Sequence, residues 1–369
     1  MGQDVKDRSR VCPLPPRSEN VESRHIKSRT IIMTVSISFI LTTTGIAYYG
    51  MQPPSTPQLP IPPPAPLIIV PGTPHDPIWI FSERDFSETA LLEGWPGNGS
   101  PENPYIIDGL DISNPGHPQD HTRAHCIGIS NTRVSFIIRN CHLNGASREW
   151  PGRAGIFLEN VMHGEIMNNI LYDNGYGILI QDSENCTVAN NICYNNTAGI
   201  ELDWSSFNTF SNNSCNDNYE GIEILDSSFN TLSDNTCYNN TKQGIFLRWA
   251  TNNIIANNTC YNNYITTDRD LGGGIQLHVS DFNIVVNNTC ANNNIGIFLY
   301  ESRSTNMVNN ICFNNTNHDI YILDPEPITE MTWGFDPVLP LPVIGCLGFI
   351  GITLMGTEWR MRGKGKKPG

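Results

Sequence analysis

From residue 155 onward the apolar positions come in short alternating runs. "GIELD" at 199–203 and "GIFL" at 244–247 place an apolar residue at every second position. A period of two belongs to strands, not helices. The runs are only a few residues long and are separated by Asn, Gly, Ser and Thr, which favour turns and tolerate left-handed backbone. The pattern predicts many short strands joined by tight corners.

The runs also recur. Gly-Ile steps through Gly155-Ile156, Gly177-Ile178, Gly199-Ile200, Gly221-Ile222, Gly244-Ile245, Gly274-Ile275 and Gly296-Ile297. Cysteine keeps time with it at Cys193, Cys215, Cys237, Cys260, Cys290 and Cys312, with intervals of 22, 22, 23, 30 and 22 residues. A third series, Asn185, Asn208, Asn230, Asn253, Asn283 and Asn306, falls between them. Fixed periods of this length mark solenoids, propellers or arrays. The leucine spacing of a leucine-rich repeat is missing. Three short strands per unit, joined by Asn-rich turns, predict the coil of an all-β parallel β-helix whose coils pair about 4.8 Å apart.

In such a coil Ile200 and Leu202 point inward, while Glu201 and Asp203 point outward. Asparagine recurring at one position can stack into a hydrogen-bonded ladder along the axis. The long interval between Cys260 and Cys290, around "ITTDRDLGG", predicts a loop leaving one corner. For the cysteine row three uses stay open: apolar core filler, some disulfides, or a row of soft metal ligands. Leu171, one period before Cys193, points to a slot that accepts an apolar residue.

The unit "NN-x-C-x-x-N" with "GI-x-L-x-x-S-x-x-N", repeated from about Gly155 to Ile322, resembles the right-handed parallel β-helix proteins of the NosD type, the periplasmic copper-binding-like family. More broadly it is similar to β-helix modules of carbohydrate-binding proteins and sugar hydrolases. "GWPGNGSPENPYIIDGLDI" at 94–112 looks like the entry coil of such modules. The resemblance implies a right-handed solenoid and makes copper a possible cofactor. It does not specify an activity, since such folds host many.

The ends of the chain differ from its middle. Residues 1–30 are polar and basic and read as a cytoplasmic tail. Residues 31–50, "IIMTVSISFILTTTGIAYYG", carry no charge and are long enough for a transmembrane anchor, with a cleaved signal as the alternative. Residues 51–77 form a Pro-rich linker, 78–324 the β-helix, and 325–337 a second linker. The uncharged stretch 338–356 reads as a transmembrane helix, followed by the basic tail 357–369. The positive flanks place both termini in the cytoplasm and the β-helix outside, anchored by two membrane spans. Sequons such as Asn195-Asn-Thr and Asn239-Asn-Thr would be accessible to glycosylation there.

Charge sharpens this division. The chain carries a net charge of −14, but residues 78–330 hold ten Lys and Arg against 29 Asp and Glu. So acidic a domain excludes a nucleic-acid partner, which needs a basic face. Metal ions, cationic ligands and glycans remain.

On the outward face of the "GI-x-L" strands the repeat brings Glu201, Asp203, Trp204 and Glu223 together, followed by Arg248, Trp249, His278 and Tyr300. Carboxylates beside flat aromatic rings suit hydroxyl-rich sugars, so these eight are the candidate ligand-binding residues. A solvated acidic face is the plain alternative. Paired carboxylates could also cleave a polysaccharide as a lyase or glycoside hydrolase, although no catalytic signature is visible and no catalytic residue is assigned. A second cluster, His117, His121, His125 and Cys126 within "HPQDHTRAHC", is a weaker candidate for holding a metal.

Overall fold

The computed structural model describes residues 72–113, 125–146, 153–264 and 272–323. These residues form a right-handed parallel β-helix with three sheets running along its length. Sheet I has ten strands from Thr73–Pro74 to Ile311–Phe313. Sheet II has ten, from Ile78–Ile80 to His318–Leu323. Sheet III has nine, from Tyr105–Asp108 to Asn306–Val308. Every sheet pairs each coil with the next in parallel register. The first strand lies just ahead of the expected boundary at residue 78.

The register matches the sequence period. Ile156, Ile178, Ile200, Ile222, Ile245, Ile275 and Ile297 form one continuous inward row. Leu171 is the register partner of Cys193, which begins the cysteine row that runs to Cys312. The six cysteines of the row, Cys193 to Cys312, are free thiols. Cys193, Cys215, Cys237, Cys260 and Cys290 are fully buried. The row is core filler, and the neighbouring glycines explain its small side chain. A Cβ on Gly199 would lie 2.6 Å from the Gly221 carbonyl oxygen and 3.1 Å from Cys215 Cβ.

The corners are held by buried amides. One ladder runs Asn169, Asn191, Asn213, Asn235, Asn258, Asn288 and Asn310. A second runs Asn174, Asn196, Asn218, Asn240, Asn263, Asn293 and Asn315. A third runs Asn208, Asn230, Asn253 and Asn283. The sequence predicts one asparagine column, and the structure contains three. Two members of the predicted column stand one residue off it. Asn185 occupies the exposed left-handed position before Cys186, whose N–H donates to Asn208, and Asn306 pairs with Ile284 in sheet III.

Asn213 shows how an interior amide of a ladder is fully used. Asn213 Oδ1 accepts from both the backbone N–H and the Nδ2 of Asn191, at 3.0 Å each. Its own Nδ2 donates to the Val188 carbonyl and to Asn235 Oδ1, at 2.9 and 3.0 Å. The corner backbone therefore finds its partners in the adjacent coils, not in water.

The expected entry coil contains an α-helix, Glu83–Glu93, that the repeat analysis does not foresee. Its signals are local. Ser82 accepts from the Asp85 N–H, Asp85 accepts from the Phe81 N–H, and Gly94 closes the helix at φ 68°. Phe86 is fully buried and stacks on Tyr105 at 5.0 Å, with Phe136 at 5.3 Å. The helix thus covers the first apolar face, as a terminal unit of a solenoid must.

Among the described residues no helix is long and apolar enough to cross a membrane. The predicted spans 31–50 and 338–356, both tails, His117, His121 and most of the predicted corner loop lie outside the described residues.

Replacing Asn213 by Ala takes one partner from each of four groups in the interior and removes the side-chain partner of the Asn191 N–H and of the Val188 carbonyl. We expect a loss of about 2–4 kcal/mol, whereas Asn212→Ala at the adjacent exposed left-handed position costs about 1 kcal/mol. Urea unfolding of the two variants checks the difference, and equal losses would mean that the ladder does not carry the corners.

Candidate functional site

The outward positions of sheet II form rows along the axis. The first contains Phe157, Leu179, Glu201, Glu223, Phe246, Gln276, Phe298 and Tyr321. Beside it runs Gln181, Asp203, Leu225, Arg248, His278 and Tyr300. Six of the eight predicted ligand residues thus belong to these rows, and the other two, Trp204 and Trp249, directly follow the row members Asp203 and Arg248. Trp204 and Trp249 sit at the corner after the strands, 66% and 52% exposed.

Glu201 and Glu223 are direct register partners and are largely covered, at 9% and 8% exposure. Parallel in-register pairing forces the two carboxyls together. Glu223 lies between Glu201 and Glu220 and is in hydrogen-bond contact with both. Lys242 anchors Glu220 at 3.2 Å. The middle carboxyl, Glu223, then becomes the favoured place for a proton. Burial first, and the Glu220 charge second, push Glu223 up to about 10. Burial, and then Asp203, push Glu201 up to about 7. The pair titrates as a unit. Burial raises Asp203 too, with help from Asp226.

Tyr176 belongs to the same cluster. Its phenol is raised by burial, then by the charges of Glu201, Glu223, Glu220 and Asp203. Farther along, Gln243 Nε2 donates to Gln276 Oε1 at 2.8 Å. Arg248 lies 4.7 Å from the Trp249 ring, and His278 is 4.5 Å from Tyr300. Burial and the Arg248 charge lower the His278 pKa, which favours the neutral imidazole. The face therefore carries carboxyl, amide, imidazole and phenol groups over five successive coils, a dense array of hydrogen-bonding partners.

Tyr176, Glu220, Lys242 and Gln243 carry no signal in the sequence that marks them as part of this site. They precede the Gly-Ile marker and look like turn residues until the register is known. Phe207, Phe229 and Phe282, which are 55%, 47% and 59% exposed at the next corner, also lie outside the predicted set. Their signal is the recurring "SSFN" at 205–208 and 227–230 and "SDFN" at 280–283.

The weaker metal candidate divides. Cys126 is fully buried, with its thiol donating to the Asn144 carbonyl at 3.4 Å. His125 Nδ1 accepts from the Ala154 N–H at 2.9 Å, and the ring stacks on Phe157 at 4.4 Å. Burial, and then Arg153, lower its pKa to about 4. Both side chains are packed into the structure. Among the described residues no three or more His, Cys, Asp or Glu are arranged to hold a metal ion. The sulfur row is closed to solvent from Cys193 to Cys290 and only its last member, Cys312, is partly exposed, so these residues do not fit a copper centre.

Fold and site together define a solenoid of the parallel β-helix class with one chemically dense outer sheet. Residues 112–270 match the model of the family described as periplasmic copper-binding protein (NosD), the family whose repeat this chain resembles. No curated protein matches the chain. Among solved structures, the periplasmic alginate epimerase AlgG is similar at 20% identity and a TM-score of 0.46, covering 61% of this chain and 53% of that one. The AlgE4 A-module, a mannuronan C-5 epimerase of Azotobacter vinelandii, is 11% identical with a TM-score of 0.40, over 64% of this chain and 90% of that one. The enzymatically active domain of the bacteriophage CBA120 tailspike protein 2 is 13% identical with a TM-score of 0.43, over 55% and 35%. The chain spans about half the length of AlgG, and similarity at these levels transfers no activity.

The carboxyl pair has a consequence for stability. Native Glu201 and Glu223 keep protons that the unfolded chain releases above about 4.5. Stability from this pair is present below that pH and is lost as pH rises through about 7 and on toward 10. Glu223→Gln removes the loss. Its Tm should match that of the wild type near pH 4 and exceed it at pH 8 by roughly 2–4 °C or more. Parallel Tm curves from pH 4 to 8 would contradict the assigned proton.

Proposed function

We propose that the chain is an extracytoplasmic surface module that binds carbohydrate through the outer face of sheet II. The observation that carries this is the alignment of two rows of polar side chains, the buried Glu201, Glu223 and Gln276 and the half-buried Asp203, Arg248, His278 and Tyr300, beside the exposed rings of Trp204 and Trp249. Sugars present hydroxyls around an apolar ring face, and sites that hold them combine those two features. The NosD match supports a location outside the cytoplasm. In this proposal segments 31–50 and 338–356 anchor the module in the membrane, with both termini inside.

A glycan array probed with the wild-type ectodomain tests the idea, with Glu201→Ala and Trp249→Ala as variants. Binding of at least one oligosaccharide is expected, with a loss of tenfold or more in each variant. An array without any bound glycan would remove this function.

One observation favours a second function, polysaccharide cleavage. Glu223, in register with Glu201 on the outer face of sheet II, is a carboxyl that stays protonated near neutral pH and can act as a general acid. Reducing ends released from polysaccharide by the wild type but not by Glu223→Gln would establish it. No release from any polysaccharide would leave binding alone.

A further inference from the structure

The corner between sheets II and III repeats a single backbone position in successive coils. From the coil of Asn185 onward its occupants are Asn185, Phe207, Phe229, Asn252, Phe282 and Ser304, all in the left-handed region with φ between 54° and 60°. Asparagine adopts that conformation readily. Phenylalanine does so at a cost of about 1 kcal/mol or more. Three of the six positions nonetheless carry Phe, and all three rings are exposed to about half or more of their surface. Neither backbone preference nor core packing accounts for them.

The rings are arranged axially. Phe207 and Phe229 stack face to face, with centroids 5.3 Å apart and planes 7° from parallel. Tyr172–Tyr194 and Tyr238–Tyr261 repeat that spacing on sheet I, at 5.1 and 5.0 Å. One coil is therefore one ring step. At the corner the sequence of rings is interrupted once, at Asn252. The register Thr231, Ile254, Ile284 places Phe229 and Phe282 two coils apart, on either side of it. Two ring steps of about 5 Å leave room for one inserted ring, within the 4.5–7 Å range of ring contacts on both sides.

The floor of this gap is polar, formed by Ser228, Thr251 and Asp281 at the same place in successive coils, and its only charge is the carboxylate of Asp281, which admits hydroxyls and disfavours an anionic sugar. Asn252 is exposed and its Nδ2 donates to Thr251 Oγ1 at 3.1 Å. Thr251 Oγ1 is 3.0 Å from Ser228 Oγ. An aromatic side chain would have no use for these groups. A saturated ring with apolar faces and a hydroxylated rim uses both the walls and the floor.

We propose that Asn252 marks a monosaccharide subsite. One neutral pyranose ring inserts between Phe229 and Phe282, with its C–H faces on the two rings and its hydroxyls on Asn252, Thr251 and Ser228. The subsite rests on the carbohydrate-binding function above and narrows it, because it selects a neutral sugar although the flanking face is acidic. Trp249 lies three residues before Asn252, so a bound oligosaccharide would continue from this gap toward sheet II.

Filling the gap tests the proposal. Asn252→Phe should complete the ring stack, since Phe occupies the same backbone position in the coils on both sides. Hexasaccharides of β-1,4-linked glucose, β-1,4-linked N-acetylglucosamine, β-1,4-linked mannose and β-1,4-linked mannuronate serve as probes in calorimetric titrations. The wild type should bind at least one of the three neutral hexamers. Asn252→Phe should weaken that binding at least tenfold with an unchanged or raised Tm, and Phe282→Ala should weaken it while still unfolding cooperatively. Wild-type affinity in Asn252→Phe, binding of the mannuronate hexamer alone, or no binding of any hexamer overturns the subsite. Glycans bound on the array in those cases would leave the broader function standing.

Discussion

The stacked, buried amide ladder is the interaction on which this structure depends. Each corner of a coil exposes backbone groups that no residue of the same coil can satisfy. Asparagine supplies a donor and an acceptor in one short side chain, and successive Asn residues pass the hydrogen bonds from coil to coil. A single coil would leave both ends of that chain open. The fold is consequently stable only as a stack, and its ends need separate treatment. The helix Glu83–Glu93, with Phe86 packed on Tyr105 and Phe136, provides it at the first coil.

The ladder also fixes the rise between coils, and every outward side chain inherits it. Residues one period apart become neighbours whether or not they attract. Glu201 and Glu223 are brought together in this way, and Glu220 joins them from the same strand. Three carboxyls in a partly buried row cannot all ionise cheaply. Lys242 pairs with Glu220, and burial with the neighbouring carboxylates leaves a proton on Glu223 at neutral pH. The aromatic pairs follow the same rule with a favourable sign, since 5.0–5.3 Å suits ring stacking.

Much of the fold is legible along the chain because the period is physical. The Gly-Ile steps mark the inward start of each sheet II strand, and Leu171 standing in for cysteine identifies an apolar slot before any coordinates are considered. The asparagine column is only partly legible. Repeats rich in "NN" allow several alignments one residue apart, and Asn185 and Asn306 fall on the wrong side of that ambiguity. The capping helix has no period to announce it. Its Ser82 and Gly94 signals are ordinary ones that a search for repeats passes over.

The candidate site divides along the same line. Alternation within "GIELD" determines that Glu201 and Asp203 face outward, and the period determines that Glu223 follows one coil later. Those are properties of strand geometry and can be counted. Tyr176, Glu220, Lys242 and Gln243 join the cluster only when the tight turns before each Gly-Ile are folded. Burial of Glu201 and Glu223, and therefore their protonation, comes from side chains of other coils that no local pattern contains. By itself the sequence determined the solenoid, its core rows and the outward positions, because these follow from periodicity. Which outward residues converge, and in what charge state, was decided by the tertiary structure, because solvation and proximity depend on neighbours a full coil away.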